Sequence, residues 1–440
     1  MQPARLSHRQ VLALALPMLL SNITVPLLGL VDTWVIGHLG DAALLGGVAV
    51  GATLINLVLW LCGFLRMSTT GLTAQALGAA DEREGAQLLG RGLVMALLLA
   101  LLLLLGRPWL VEWAFAASDA SGAVKEVARS YFTIRLWGAP AALCNLVILG
   151  WLLGRQDARA PMLILIASNS LNIVLDIWLV RGVGWGVQGA ALASLLADYA
   201  SLLLGGYCVT RHRSIAVLRT QWHDLLSAAK PYRHMLALNR DIFIRSLCLQ
   251  ACFVFMTFQG AKLGDVVVAA NAVLLNFLML LSYGLDGFAY AAEAMVGRAV
   301  GARRRDQLAR AIRLNLQWAL LTALLATLAF VWGGELLIRA MTSIDAVVTE
   351  ALRQLPWLMA LPLLSVWAYL FDGIFIGATR AREMRDSMLL AVLVGYFPVW
   401  WLAGGDNSAL WAAMLVLMVG RGVGLGVWLY RLWHSHALVD

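Results

Sequence analysis

Charged residues are scarce in this sequence. Of its 440 residues, 13% are Asp, Glu, Lys or Arg, whereas 61% are hydrophobic. Soluble domains carry about 25% charged residues, and a soluble chain of this length could not bury so much apolar surface. The scarcity of charge therefore excludes a soluble globular protein. Apolar runs such as 93–105 and 314–330 instead predict membrane-spanning helices, each of which needs about 20 residues.

The residue patterns that would support catalysis are also missing. All five cysteines fall inside apolar segments, which favours small buried side chains over disulfides or a metal site. The sequence has no Gly-x-x-x-x-Gly-Lys-Ser/Thr loop for ATP, and no set of Ser, His and Asp converges within the spans. We therefore expect no enzyme, no ATP-driven pump and no cofactor.

The apolar core of a signal peptide has about 7–15 residues, and the first apolar run of this chain is longer. We therefore expect no cleaved leader.

Hydropathy and loop positions predict twelve spans. They are expected near residues 10–37, 43–66, 87–110, 126–153, 160–181, 186–210, 234–261, 267–296, 309–337, 347–377, 384–403 and 407–431. Lys and Arg accumulate at the two termini and in alternate loops, and loops of this kind lie in the cytoplasm. Both termini are therefore predicted to be cytoplasmic, in a membrane of the bacterial inner-membrane type. The net charge of +8 acts as a topology signal, and we expect no nucleic-acid partner.

The chain divides near its centre into two similar halves. Leu39-Gly40-Asp41 matches Leu263-Gly264-Asp265, and Gly154 matches Gly377 at nearly the same offset. Because each half holds an even number of spans, both halves have the same orientation. The predicted fold class is an all-α polytopic membrane protein with two pseudo-symmetric six-helix bundles. Its parts are an N-terminal lobe of residues 1–210, a cytoplasmic linker of residues 211–233 and a C-terminal lobe of residues 234–440.

Motifs spread over the whole chain carry a resemblance to a known family. They are residues 17–32 and 31–40, Asn172-Ile-Val-Leu-Asp176, Asn239-Arg-Asp-Ile242, Leu285-Asp-Gly-Phe-Ala-Tyr290 and Phe371-Asp-Gly-Ile-Phe-Ile-Gly377. Together they resemble the multidrug and toxic compound extrusion (MATE) family, in particular its DinF branch. The resemblance implies a secondary transporter that binds its substrate between two lobes and alternates access to it.

Acidic residues inside spans are functional candidates, because a charge near the bilayer centre costs at least about 2.5–3.5 kcal/mol. Asp32 lies near the end of the first span, after Pro17 and Pro26, which each remove a backbone hydrogen bond and allow the helix to bend. By its position alone, Asp32 could instead cap the helix end before Gly37. The resemblance implies that a carboxylate fifteen residues after a span-1 proline responds to protons, and Pro17 and Asp32 have that spacing.

A second acidic candidate lies in the fifth span. Asn172 and Asp176 are four residues apart and so point the same way from a helix. One interpretation is an ion pair of Asp176 with Arg181 near the outer surface. The resemblance implies instead a buried proton-coupling network, whose members would be Asp32, Asn172, Asp176 and Ser194. The tyrosine that the family contributes from span 1 is replaced here by Leu28.

Asp372 is the acid of the second half that bears on the coupling ion. By the resemblance, sodium-coupled relatives bind a cation at this position with a companion glutamate. That glutamate would fall near Leu249 or Gln250, where the chain has no acid. Because a hard cation prefers several oxygen ligands, the sequence favours H⁺ as the coupling ion and leaves Na⁺ as the second choice.

The other charged candidates of the second half lie in spans 7 and 8. Asp286 and Glu293 are seven residues apart and share one helix face. Arg240 or Arg245 could pair with them or take part in coupling. Asp198 in the first half and Arg421 in the last span are interpreted as structural.

These expectations favour an antiporter that exports amphipathic or cationic drugs and toxic compounds in exchange for H⁺. The alternative is a lipid or lipid-linked-saccharide flippase of the same superfamily. Such relatives have a more cationic cavity that holds pyrophosphate, whereas here the acids within the spans at least equal the bases. Small amphipathic substrates and membrane lipids are the expected partners, and the protein is expected to work as a monomer.

Overall fold

The structure is a computed structural model that describes residues 6–37, 42–116, 121–212 and 229–438, apart from the side chains of residues 32, 33, 37, 42, 113–116 and 229. These residues fold almost entirely into helices. In the first half they are α1 (His8–Gly37), α2 (Ala42–Leu61), α3 (Phe64–Gly78), α4 (Glu82–Leu105), α5 (Arg107–Ala116), α6 (Gly122–Leu136), α7 (Ala139–Gly154), α8 (Arg159–Asp176) with a π-helical turn (Ile177–Gly182), and α9 (Gly186–Thr210).

The second half repeats this pattern with longer helices. They are α10 (Ala229–Leu263), α11 (Asp265–Gly301), α12 (Arg305–Met341), α13 (Asp345–Gly377), α14 (Ala381–Leu390) with a π-helical turn (Ala391–Tyr396), α15 (Phe397–Leu402) and α16 (Asn407–His434). In the described part of the chain, ten helices are long and apolar enough to cross a membrane, or eleven if α6 and α7 form one bent span. The remaining predicted span, near 384–403, coincides with the helical run from α14 to α15.

Contacts between helices group the chain into two units, which are described separately. The first unit comprises Leu20–Ala76 and Asp81–Arg233, and the second comprises Met1–Leu19, Leu77–Ala80 and His234–Asp440. Helix α1 therefore contributes residues to both units. The predicted lobes end at residue 210 and begin again at residue 234, on either side of the predicted linker. Most of that linker lies outside the described residues, so this division stays a prediction.

Each unit has its own apolar core. In the first unit, helices α2, α4, α6, α7 and α9 surround large buried side chains such as Trp151 and Phe132. In the second unit, α11, α13 and α16 pack closely around Trp411 and Phe375. Many large apolar side chains, such as Leu102, are exposed on the outer faces of these helices, as expected of helices that contact lipid.

In the first unit, α7 crosses α3 at a distance that only glycine allows. A Cβ atom on Gly150 would lie 2.4 Å from the carbonyl oxygen of Arg66. One turn later, a Cβ atom on Gly154 would lie 2.7 Å from the carbonyl oxygen of Thr70. Small residues at such crossings allow membrane helices to approach backbone to backbone.

The second unit contains the same crossing between α13 and α11. A Cβ atom on Gly373 would lie 2.4 Å from the carbonyl oxygen of Ala289, and one on Gly377 would lie 2.6 Å from that of Glu293. Each of these four residues stands 223 positions after its counterpart in the first crossing, as in Gly150 and Gly373. The internal repeat inferred from sequence therefore extends to individual backbone contacts.

An ion pair braces the 54° bend between α6 and α7. Arg135, in the last turn of α6, donates a hydrogen bond of 2.6 Å to the carboxylate of Asp198 on α9. The hydroxyl of Tyr199 donates to the carbonyl oxygen of Trp137, which lies in the break between the helices, at 3.1 Å. Pro140, within the first turn of α7, has no N–H to continue the helix from α6. Asp198 thus lies in a structural contact of the first unit.

A cluster around the buried Trp151 ring holds the end of α7. The guanidinium of Arg155 lies 5.2 Å from the ring centroid and donates a hydrogen bond of 2.9 Å to Glu82. The His212 ring packs edge-on against Trp151, with the centroids 5.2 Å apart, and its Nε2 lies 3.8 Å from a carboxylate oxygen of Asp157. Burial, and then the charge of Arg155, lower the pKa of His212 from its ordinary value of 6.5, against the opposing effect of the two carboxylates.

We expect His212 to destabilise the first unit in acid. Folding lowers the pKa of His212, so at a pH between its folded and unfolded pKa values the unfolded chain binds more protons than the folded chain. The free energy of unfolding therefore falls as the pH drops through about 6.5. His212→Phe keeps a ring against Trp151 and removes the titration. The fall in melting temperature between about pH 7.5 and 5.5 should be smaller in this variant. The effect should be small, because the side chain is 25% exposed. Equal falls in both proteins would contradict the assignment.

Candidate functional site

The predicted pair Asn172 and Asp176 lies in the last turns of α8, and both side chains are buried. Asp176 is only 1% exposed. The π-helical turn Ile177–Gly182 begins immediately after it. Such turns interrupt the regular α-helical hydrogen bonding and are frequent at functional sites. The carboxylate therefore lies inside the first unit, at the point where the regular helix ends.

A hydrogen bond between two neutral side chains links this part of α8 to α9. The amide nitrogen of Asn172 donates to the hydroxyl oxygen of Ser194 on α9 at 3.2 Å, and Ser194 is also buried. The structure thus brings together two of the four side chains of the predicted network and places Asp176 one turn beyond them. An amide and a hydroxyl each donate and accept hydrogen bonds, so both side chains are able to accommodate a carboxylate in its ionised or its protonated form.

The same face of α8 also contacts α1 through residues that sequence reasoning missed. Asn169 donates a hydrogen bond of 2.6 Å to the hydroxyl of Thr24, which lies 145 residues earlier. One face of α8 carries Asn169, Asn172 and Asp176 at helical spacing, so the sequence alone indicates that this face is polar. Its partner on α1 is not indicated, since nothing in the pattern singles out Thr24.

Asp32 lies on helix α1, but its side chain is outside the part of the chain that the structure describes. The helix is continuous from His8 to Gly37, so it passes through both Pro17 and Pro26. Two residues after Asp32, the ring of Trp34 lies 4.2 Å from the guanidinium of Arg181, which belongs to the π-helical turn after Asp176. This cation–π contact joins the two segments that carry the predicted proton-coupling acids.

In the second unit, Asp372 lies between two arginines. Arg245 on α10 and Arg421 on α16 both donate to the same oxygen, Oδ2, of this α13 carboxylate, and the Arg421 contact measures 2.6 Å. The side chains of Arg245, Asp372 and Arg421 are 8%, 10% and 3% exposed. The structure therefore joins two of the predicted second-half candidates and adds Arg421, which the sequence indicated only as structural.

The other second-half candidates lie elsewhere on α11. Asp286 lies close enough to Arg245 and to Tyr369 to act on them electrostatically. Glu293 is buried at the crossing of α11 with α13. Arg240 pairs with the neighbouring Asp241 at 3.0 Å.

Within the described ranges, no group of three or more His, Cys, Asp or Glu side chains is placed to hold a metal ion.

The chain matches the MatE family model over residues 17–178 and 242–402, one segment in each half. It is 48% identical over 424 residues to the DNA damage-inducible protein F of Escherichia coli K12, and this alignment covers 96% of the chain and 92% of that protein. It is 24% identical to a probable multidrug resistance protein NorM of Synechocystis, covering 96% of the chain and 91% of that protein.

The chain also superposes on solved transporter structures along nearly its whole length. A MOP superfamily transporter from Pyrococcus furiosus gives a TM-score of 0.88 at 20% identity, covering 98% of this chain and 97% of that one. An outward-facing multidrug resistance transporter of the same superfamily gives a TM-score of 0.86 at 22% identity, with coverage of 98% and 97%. At these identities the likeness shows the fold, and it confirms the predicted all-α membrane architecture.

Proposed function

We propose that this chain, which belongs to the MatE family of membrane transporters and is not an enzyme, is an antiporter that exports amphipathic or cationic compounds in exchange for protons. The observation that carries the proposal is the buried carboxylate of Asp176, one helical turn after the Asn172–Ser194 hydrogen bond. An ionisable group inside a membrane-spanning helix is expensive to keep, which favours a role in ion movement.

A proton suits this site better than a metal cation. Asn172, one helical turn before Asp176, and its partner Ser194 are neutral side chains that both donate and accept hydrogen bonds. Proton binding changes the charge of the buried site by one unit without requiring several oxygen ligands, which Na⁺ would need. H⁺ is therefore the proposed coupling ion, with Na⁺ as the second choice.

The site is also connected to a helix that can change shape. The π-helical turn after Asp176 contacts α1 through Arg181 and Trp34, and α1 carries Pro17 and Pro26. Each proline leaves one carbonyl in the helix without its usual donor, so bending at these points breaks fewer hydrogen bonds. In this proposal, protonation of Asp32 and Asp176 favours a bent α1, and the transporter alternates access between its two lobes.

The substrate class rests on the relatives and on composition. The Synechocystis relative is named a probable multidrug resistance protein, and one similar structure is of a multidrug resistance transporter. The scarcity of charge in the spans suits apolar or weakly cationic amphiphiles. The protein is proposed to work as a monomer in a bacterial-type inner membrane, in contact with membrane lipids and with both termini cytoplasmic.

Reconstituted vesicles would test the coupling ion directly. With ethidium inside proteoliposomes, an acidic external buffer should drive its efflux, because inward proton flow supplies the energy. An inward Na⁺ gradient without a pH difference should leave the rate at that of protein-free vesicles. Dissipating the pH gradient with nigericin should stop the efflux, which separates coupling from leakage. Efflux that followed the Na⁺ gradient alone would contradict proton coupling.

A further inference from the structure

The second unit holds a three-residue ionic cluster, the Arg245–Asp372–Arg421 triad. Its members come from three different helices, α10, α13 and α16, and all three side chains are at least nine-tenths buried. Both guanidinium groups donate to Oδ2 of the carboxylate, and Arg421 also contacts the sulfur of Met418 at 3.3 Å. The triad therefore ties the three helices together around one carboxylate.

A buried carboxylate that stays ionised in a membrane protein needs positive charge close to it. In the triad, side chains of the protein itself supply that charge twice. A free cation that approached Asp372 would lie within a few ångströms of both Arg245 and Arg421, and repulsion between like charges is strong where water is scarce. The carboxylate of Asp372 is thus already paired with two guanidinium groups that are covalently attached to the protein.

The charges around the triad also balance without a bound ion. Asp286 also contributes, less than Asp372, to the electrostatic environment of Arg245, so the formal charges of two carboxylates and two guanidinium groups cancel. Tyr369, which is paired with Ser282, and Tyr283 are neutral groups that also lie near Asp286. Neither a metal cation nor an anion is needed to neutralise this region.

We propose that Arg245 and Arg421 determine coupling-ion specificity by acting as tethered cations that occupy the cation position at Asp372. They keep the second unit closed to Na⁺ and K⁺, which leaves ion exchange to the acids of the first unit. The proposal refines the proposed proton antiport by naming the residues that exclude alkali cations. It also predicts that removal of the tethered charges converts Asp372 into an alkali-cation site.

Thermal unfolding of the purified protein in detergent tests this without any transport assay. Melting temperature is measured in NaCl, KCl and N-methyl-D-glucamine chloride at constant ionic strength. The wild-type protein should melt at the same temperature in all three salts. In R245Q/R421Q, the two new amide oxygens lie beside a free carboxylate, which is the oxygen-rich environment that a hard cation prefers. Its melting temperature should rise by several degrees in NaCl relative to N-methyl-D-glucamine chloride.

Two further variants assign the effect to Asp372. In D372N/R245Q/R421Q the carboxylate is gone, so the response to Na⁺ should disappear. R339Q removes an arginine from the exposed Glu335–Arg339 pair and should behave like the wild type in every salt. If the double variant does not yield folded protein, R421Q alone serves, since it keeps the Arg245 contact and should show a weaker response of the same sign.

Two results would overturn the proposal. One is a rise in the wild-type melting temperature with Na⁺ that D372N removes, because Asp372 would then bind Na⁺ beside the arginines. The other is a folded double variant that melts identically in the three salts. Both results concern cation binding to purified protein, so neither decides whether a pH gradient drives export, which the vesicle assay measures separately.

Discussion

Asparagine in place of Asp176 should reduce pH-gradient-driven ethidium efflux to the level of protein-free vesicles. The amide has nearly the shape of the carboxylic acid, so it fits the same buried site, but it cannot bind and release a proton at any working pH. If Asp176 exchanges the coupling proton, the pH gradient has no means of moving substrate in this variant. Efflux is measured in proteoliposomes with an acidic external buffer, as for the wild type.

The control for this substitution is Glu126→Gln, the same chemical change at an exposed carboxylate of the first unit. It should leave efflux unchanged. D176N should remain monodisperse, with a melting temperature at or above that of the wild type, because the variant no longer has an ionisable group to bury. Asp32→Asn carries the same expectation of lost efflux from its sequence position. Normal efflux by D176N would remove this carboxylate from the mechanism.

Isoleucine in place of Gly150 or Gly373 should prevent the affected unit from folding. A Cβ atom at either position would lie 2.4 Å from a backbone carbonyl oxygen, and a backbone cannot rotate away as a side chain can. Isoleucine is also stiff at χ1, so the two crossing helices must separate along their length. The expected destabilisation exceeds about 3 kcal/mol, at the upper end of measured overpacking effects. The yield of monodisperse protein on size-exclusion chromatography is the measurement.

Each substitution has a matched control on a helix of the same unit. A Cβ atom on Gly206 of α9 or Gly333 of α12 would meet no other atom within 4 Å. Gly206→Ile and Gly333→Ile should therefore give normal yields. Because the two crossings are related by the repeat, the variants at Gly150 and Gly373 should fail to similar extents. Normal yield from either one would mean that its crossing can open without loss of the fold.

Sequence alone accounts for much of the fold, for reasons that particular segments illustrate. Long apolar runs such as 93–105 can only be helices that meet lipid or other helices. The match of Gly154 with Gly377 predicted a repeat, and the structure shows both glycines in the same backbone contact. The Asn172–Ser194 contact falls within the four-residue network that the family resemblance implied and that spacing could not indicate.

Contacts that depend on how distant helices pack were not predictable. Spacing placed Asp286 and Glu293 on one face of α11 and made them natural partners for Arg245. The hydrogen bond of Arg245 in the structure goes to Asp372, which is 127 residues away. A single sequence does not show which two helices pack against each other across such a separation. The same is true of the Asn169–Thr24 hydrogen bond, where both partners looked like ordinary polar residues of a span.

The triad also has a consequence for the assembly of the protein in the cell. Arg245 leaves the ribosome 127 residues before Asp372, an interval of roughly 6–25 s at ordinary rates of translation. Helix α10 must therefore reach the membrane with a guanidinium whose carboxylate does not yet exist. Release into lipid in that state is unfavourable, which favours retention beside the translocon until α13 is made. Arg421 follows Asp372 by 49 residues, so the last helix is the one that completes the second unit.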